Sequence, residues 1–456
     1  MSTNIKLMPE GDEKQRFTRW LLVVLLLTIL LRVTLFLFYP PQSYPDTAAY
    51  QRLAESVRAG FKQFDGTRGP GYPAFLALFG PVRVVYVVQL FLGCLITLMW
   101  FLVGWGVSHK AWFAGLLALG YSLNPNQFFF EAALLTETVS TFFLTLGLLG
   151  AFLWLWNARW RKVWVGLATG LATALAVLTR PLFQYLPVLL IIFLGFSFKE
   201  KKLRADWKAI LTITLVSVLV VGGWMAWIRA HYHVFSTTTL MGYHLTQHTG
   251  YLFEQVPDQY AQIRDIYIQF RDAQIAEYGI QGNAIWQAIP AILDATDYNF
   301  YELSRVMQSI SIQLILANPV RFVLSIIPDW WYFWRVPVLF TPAAVVSGGL
   351  AGLLDALILG VRMVLFGANL VFILTSLAGL VVKKWRTQWA LSAFHWLVAG
   401  YVWGASAVSS ILEQGNNPRY LVPLQTAVVF WSLWVLWQTW QVWWTRRGER
   451  KLGEQG

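Results

Sequence analysis

At 456 residues, 57% apolar and only 13% charged, the chain is far more hydrophobic than a soluble globular protein, in which roughly 25% of residues are charged. This composition leaves no room for a soluble domain of ordinary size and predicts a polytopic membrane protein. The net charge of +12 is distributed along the chain as an orientation signal rather than gathered into a binding face, so no nucleic-acid partner is expected.

The N-terminus carries Lys6, Lys14, Arg16 and Arg19, and no small-residue cleavage site follows the apolar run 17–38, which reads as a retained first span. A bilayer core takes about 20 apolar residues per helix. Further runs at 82–107, 112–130, 136–156, 163–178, 182–198, 209–228, 354–382, 389–409 and 421–444 bring the expectation to an all-α fold of roughly ten spans. Three regions follow: an N-terminal membrane region 1–228, a long polar stretch 229–353, and C-terminal membrane helices with a basic tail, 354–456. The single cysteine, Cys94, forms no internal disulfide and says nothing about redox compartment.

Charge sets the expected topology. With both termini in the cytoplasm, the inner segments hold 20 of the 35 basic residues but only 7 of the 23 acidic ones, as the positive-inside rule requires. Tryptophans such as Trp105, Trp112, Trp385 and Trp389 fall near span ends, where an interfacial belt is expected. This orientation places 39–81, 229–353 and 410–420 on the outer face. The first of these loops predicts a helix over 47–59 with Asp46 as its N-cap, Asp being a preferred capping residue. In the second, the spacing of Val320, Val323, Ile327, Trp330 and Trp334 predicts a helix over 318–334 lying along the outer interface.

Ionisable residues at membrane-facing positions point to function, and here they fall in a recognisable order. Tyr44-Pro45-Asp46-Thr47 follows the first span, and Arg68-Gly69-Pro70-Gly71-Tyr72-Pro73 closes the loop. Leu134-Leu135-Thr136-Glu137 opens a later span, Leu178-Thr179-Arg180-Pro181 lies between two spans, and Asn417-Pro418-Arg419-Tyr420 precedes the last. This order resembles the C-type superfamily of integral membrane glycosyltransferases (GT-C), most closely the branch of protein O-mannosyltransferases and lipid A aminoarabinose transferases. The resemblance implies transfer of a monosaccharide from a polyprenyl-phosphate donor to a cell-envelope acceptor, lipid, glycan or protein. The site would face outward from the inner, or plasma, membrane. It also implies Asp46 as general base in an inverting displacement. Arg68 and Arg419, with Arg180 and Arg335 behind them, would hold the donor phosphate, and Glu137 and Tyr72 would support the site. A bacterial origin is expected, with undecaprenyl phosphate as the carrier. The mannosyltransferases carry an adjacent Asp-Glu pair where this chain has Asp46-Thr47, which leaves the acceptor class open.

Structural roles compete with several of these. Asp46 can cap its helix, Arg68 can anchor among headgroups, Glu137 and Arg180 can pair, and Arg32 reads as a snorkelling side chain near the end of the first span. His244 and His248 share one helical face and are candidates for a divalent metal, with Glu254 or Asp258 as a third ligand, against hydrogen-bonding loop histidines. A polyprenyl-linked glycan polymerase or ligase is the nearest rival reading. A secondary transporter would place its polar residues near the midplane in two repeated halves, whereas here they cluster outside the spans.

Overall fold

The computed structural model describes residues 11–156, 163–197, 207–338, 340, 349–414 and 418–453. The basic clusters at 159–162 and 199–204 and the residue Asn417 lie outside them. Within them the chain is all-α, with one isolated parallel bridge between Gln42 and Ala133. From the N-terminus, α1 (Asp12–Phe38) leads to the short helices α2 (Pro45–Arg58) and α3 (Gly71–Phe79). The bundle then continues through α4 (Val82–Ser108), α5 (Ala111–Ser122), α6 (Pro125–Phe130), α7 (Glu137–Trp156), α8 (Val163–Thr179), α9 (Leu186–Ser197) and α10 (Trp207–Tyr232). A second layer follows, on the side that the expected topology makes the outer one, formed by α11 (Met241–Thr249), α12 (Ala261–Tyr278), α13 (Ala284–Ala295), α14 (Phe300–Ala317) and α15 (Pro319–Phe333). The chain then returns through α16 (Gly349–Val381), α17 (Lys383–Gln388), α18 (Ala393–Leu412) and α19 (Gln425–Gly453).

Among the described residues six helices are long and apolar enough to cross a membrane, or seven if the pair α14 and α15, bent by 108° at Asn318, counts as one. The remaining expected spans are shorter or more polar. The run 112–130 is divided where Asn124 caps α6 through the amide of Asn126 and Pro125 takes the first helical position. The runs 163–178 and 182–198 form helices of 17 and 12 residues on either side of Arg180-Pro181. The run 389–409 becomes helical only at Ala393 and buries His395, Ser406, Ser409 and Ser410.

Burial separates perimeter from centre. In α1, α10 and the long return helix α16, only 22% of the apolar stretch is buried, against 72% in the last span, so the former face lipid and α19 runs through the middle. The main core joins α4, α5, α7, α8, α18 and α19 around Trp100, Phe152, Tyr401 and Trp431. A second, separate core is confined to residues 240–314 of the outer layer. The helix expected over 318–334 is present as α15, whose Val320, Val323, Leu324 and Ile327 are exposed apolar residues.

Arg32 does not snorkel. It is buried inside the bundle, where Nε donates to Glu131 Oε2 at 3.0 Å and Nη2 to Oε1 at 2.6 Å, while Nη1 reaches Ser122 and Tyr121 donates to Glu131 Oε1 at 3.1 Å. Gly93 makes room for this pair, since a Cβ there would collide with the Glu131 carboxylate.

Candidate active site

Asp46 is placed by the start of α2. The helix is opened by Tyr44, whose carbonyl accepts from the Thr47 amide and whose own amide donates to the Thr47 hydroxyl at 2.9 Å. Asp46 therefore lies in the first turn, where the N-terminal dipole favours a carboxylate, and is not the N-cap that the sequence suggested. The Thr47 hydroxyl donates to Leu134 O at 3.1 Å, and Gln42 pairs with the same strand-like segment through Ala132 and Leu134, so the loop is tied to the residues leading into Glu137.

The loop's far end is fixed by glycine. A Cβ at Gly69 would overlap the Leu178 carbonyl, and one at Gly71 would lie 2.5 Å from the Thr179 amide nitrogen, so the Arg68-Gly69-Pro70-Gly71 run lies directly on the end of α8. That contact brings Arg68 and Arg180 to one cavity. Arg68 Nη2 donates to Asp46 Oδ1 at 3.0 Å, and Arg419 Nη2, 373 residues along the chain, donates to Oδ2 at 2.6 Å. Arg180 Nη1 donates to the buried Glu137 carboxylate at 3.2 Å and its guanidinium lies 4.5 Å from the Tyr420 ring centre. Arg419 Nε stands 3.9 Å from Glu137 and, although buried, has no hydrogen-bond partner among the described residues.

Asp46, Arg68, Arg180 and Arg419 line a cavity of about 390 Å³ together with Tyr50, His244, Asn283, Trp286 and Glu413, and Glu137 stands behind Arg180 and Arg419. Burial pushes the Asp46 carboxyl up, but the charges and hydrogen bonds of Arg419 and Arg68 outweigh it and hold it below its ordinary value of 3.8. Burial lowers His244 despite the nearby Glu413 carboxylate, so its imidazole is neutral at pH 7. Tyr50 is raised by burial and keeps its proton.

Of the residues singled out in the sequence, Asp46, Arg68, Glu137, Arg180 and Arg419 meet here. Tyr72 stands one layer behind, donating to Gln89 at 3.0 Å and packing edge-on against Tyr50. Arg335 does not join them; it is exposed, with its guanidinium 4.1 Å from the Tyr332 ring. Among the described residues no three His, Cys, Asp or Glu side chains group closely enough to hold an ion. His248 Nε2 instead donates to the Glu413 carbonyl at 3.2 Å, Glu254 pairs with Arg271 and Asp258 with Arg264. Sequence reasoning missed Glu413 and Trp286. Glu413 had a signal, being the one carboxylate in the 410–420 loop.

No family model and no curated protein matches the chain. Among solved structures it is similar to the crystal structure of ArnT from Cupriavidus metallidurans bound to undecaprenyl phosphate, at 13% identity and a TM-score of 0.38, over 90% of this chain and 78% of that one. A superposition this loose carries no argument, and the functional reading rests on the site's own geometry.

Proposed function

We propose that this chain is a membrane glycosyltransferase of GT-C type that moves a monosaccharide from a polyprenyl-phosphate donor to a cell-envelope acceptor. In this reading the chain crosses the inner, or plasma, membrane about ten times with both termini in the cytoplasm, and the cavity opens on the outer face. The observation that carries it is a carboxylate held between two guanidiniums, with a third guanidinium on the same cavity and one buried Arg419 N–H left without a partner. Arginine pairs suit a phosphate because each guanidinium offers two parallel N–H groups. At about 390 Å³ the cavity falls within the size range of ligand sites, roughly 300–1,000 Å³.

The acceptor hydroxyl or amine attacks the anomeric carbon while its proton passes to Asp46. The bond from that carbon to the phosphate oxygen breaks, the electron pair leaves with the lipid phosphate, and the configuration inverts. Protonation removes the negative charge of Asp46 as the departing phosphate gains one, so Arg68 and Arg419 lose one counter-ion and acquire another in the same step. Glu137 holds Arg180 in place and faces Arg419, which keeps both guanidiniums aimed at the cavity.

The test is transfer of radiolabelled sugar by the purified protein from a panel of undecaprenyl-phosphate monosaccharides to a cell-envelope extract. Product from one donor is expected; no product from any, in protein that is folded and binds undecaprenyl phosphate, would overturn the reading. The pH profile gives a second check. Asp46 must be unprotonated, and its depressed pKa keeps it so until the pH falls below the ordinary carboxylate range. The acid limb of kcat/KM is therefore expected below about pH 4, with activity lost as pH falls through it. In the donor complex the phosphate draws the guanidiniums away, so the acid limb of kcat is expected at higher pH than that of kcat/KM. Arg419→Gln should raise the limb of kcat/KM, and coincident limbs in wild type and variant would argue against this coupling.

A further inference from the structure

The cavity has two walls of different chemistry. One is the arginine wall already described, supplied by the first loop, the end of α8 and the segment before α19. The other comprises His244 from α11, Asn283 and Trp286 from the start of α13, and Glu413 just past α18. None of these four takes part in holding the phosphate or moving the proton, and none carries a positive charge at pH 7.

Trp286, Glu413 and the helix that carries His244 are nevertheless held in place. The Trp286 ring lies 5.6 Å from His244 at 73° and 5.8 Å from Tyr243 at 60°, and the fully buried Tyr243 donates its hydroxyl to the Phe300 carbonyl at 2.5 Å. The Glu413 carboxylate accepts from the Tyr420 hydroxyl at 2.5 Å and faces His244 Nδ1 at 3.6 Å. Its backbone is clipped to α11 twice, through His248 to the Glu413 carbonyl and through the Gln414 amide to Gln247 Oε1 at 2.7 Å. Helix α11 in turn lies against α14 at Gly242, where a Cβ would strike the Ser304 carbonyl. The wall is thus carried by the outer layer, which has its own hydrophobic core.

A carboxylate, a carboxamide, a neutral imidazole and an indole face offer little to a phosphate. They do match a sugar ring, whose hydroxyls need donors and acceptors and whose C–H face packs on an aromatic ring. The sugar is bonded directly to the phosphate. Once the phosphate is on the arginines, the sugar must occupy the rest of the same small cavity, against this wall. Resting on the transferase reading above, we propose that His244, Asn283, Trp286 and Glu413 form the subsite for the donor's sugar ring. The outer helical layer then sets which sugar is accepted, and the membrane helices set the carrier.

Equilibrium binding tests this separately from turnover. Affinities of the full-length protein are measured for undecaprenyl phosphate and for a panel of undecaprenyl-phosphate monosaccharides, in wild type and in the Trp286→Ala, Trp286→Phe and Glu413→Gln variants. At least one conjugate is expected to bind wild type about tenfold or more tightly than undecaprenyl phosphate. Trp286→Ala and Glu413→Gln should erase most of that preference while the affinity for undecaprenyl phosphate stays within about twofold; Trp286→Phe should keep part of it. The proposal is overturned if no conjugate is preferred, if the preference survives both of the first two variants, or if undecaprenyl phosphate is weakened in parallel, which would make the wall part of the carrier site. A preference that holds in protein without transferase activity would leave the subsite standing and remove the reaction.

Discussion

Replacing Asp46 by Asn is expected to lower sugar transfer by about 10²–10⁴-fold, the usual cost of losing a general base, while undecaprenyl phosphate binds more tightly. The two effects have one cause. In the native site the carboxylate takes a hydrogen bond from Arg68 and another from Arg419, so an incoming phosphate must compete with it for both guanidiniums. An amide neither accepts the proton nor holds the two cations, so chemistry is lost and the phosphate meets two unclaimed donors. A radiolabel assay and a binding isotherm on the same preparation measure both quantities. Loss of transfer with weaker carrier binding would show that the substitution had disturbed the site as a whole. Transfer within about tenfold of wild type would remove Asp46 as the base.

The second large effect lies away from the cavity. Arg32→Met leaves the Glu131 carboxylate buried with its two strongest donors gone, and loss of one partner from a buried ion pair typically costs about 3–5 kcal/mol. Glu131→Leu is expected to do the same by stranding the guanidinium. The double variant should recover most of the loss, because two apolar side chains of similar size in this position carry no desolvation penalty. Thermal unfolding of the four proteins in one detergent decides the matter: additive losses in the double variant would mean that the residues do not act as a pair. Gly93→Ala presses a methyl group into the same carboxylate and should lower the unfolding temperature with the ion pair chemically intact.

Four of the residues that meet at the site were legible in the sequence because each sits at a helix end punctuated by proline. Pro45, Pro70, Pro181 and Pro418 stop or start helices beside Asp46, Arg68, Arg180 and Arg419, and polar side chains at such breaks stand out against apolar runs. Which partner each would find was not legible. Arg32 and Glu131 both look like end-of-span charges, and only the packing of α1 against α4 and α5 shows that they face inward. Arg335 has the same local look as Arg68, yet nothing beside it acts as the glycines at 69 and 71 do against α8. The sugar wall was least readable of all, since Trp286 reaches the cavity only because the outer layer folds on its own core and lays α11 against the last outer loop. Span lengths were blurred for a plainer reason. Apolar runs continue through Asn124-Pro125 and up to Arg180-Pro181 with little change in hydropathy, while the backbone ends its helices there.

The separation of Asp46 from Arg419 along the chain also bears on how the protein is born. Synthesis and membrane insertion proceed from the N-terminus, so for most of that time the carboxylate stands in the growing chain with Arg68 as its only available arginine partner of the pair. The second arm of the clamp arrives with the residues that lead into the last helix, 373 residues later. On the proposed reading, a nascent or truncated copy would lack the paired guanidiniums that a departing phosphate needs, and transfer is expected only from a chain that includes Arg419.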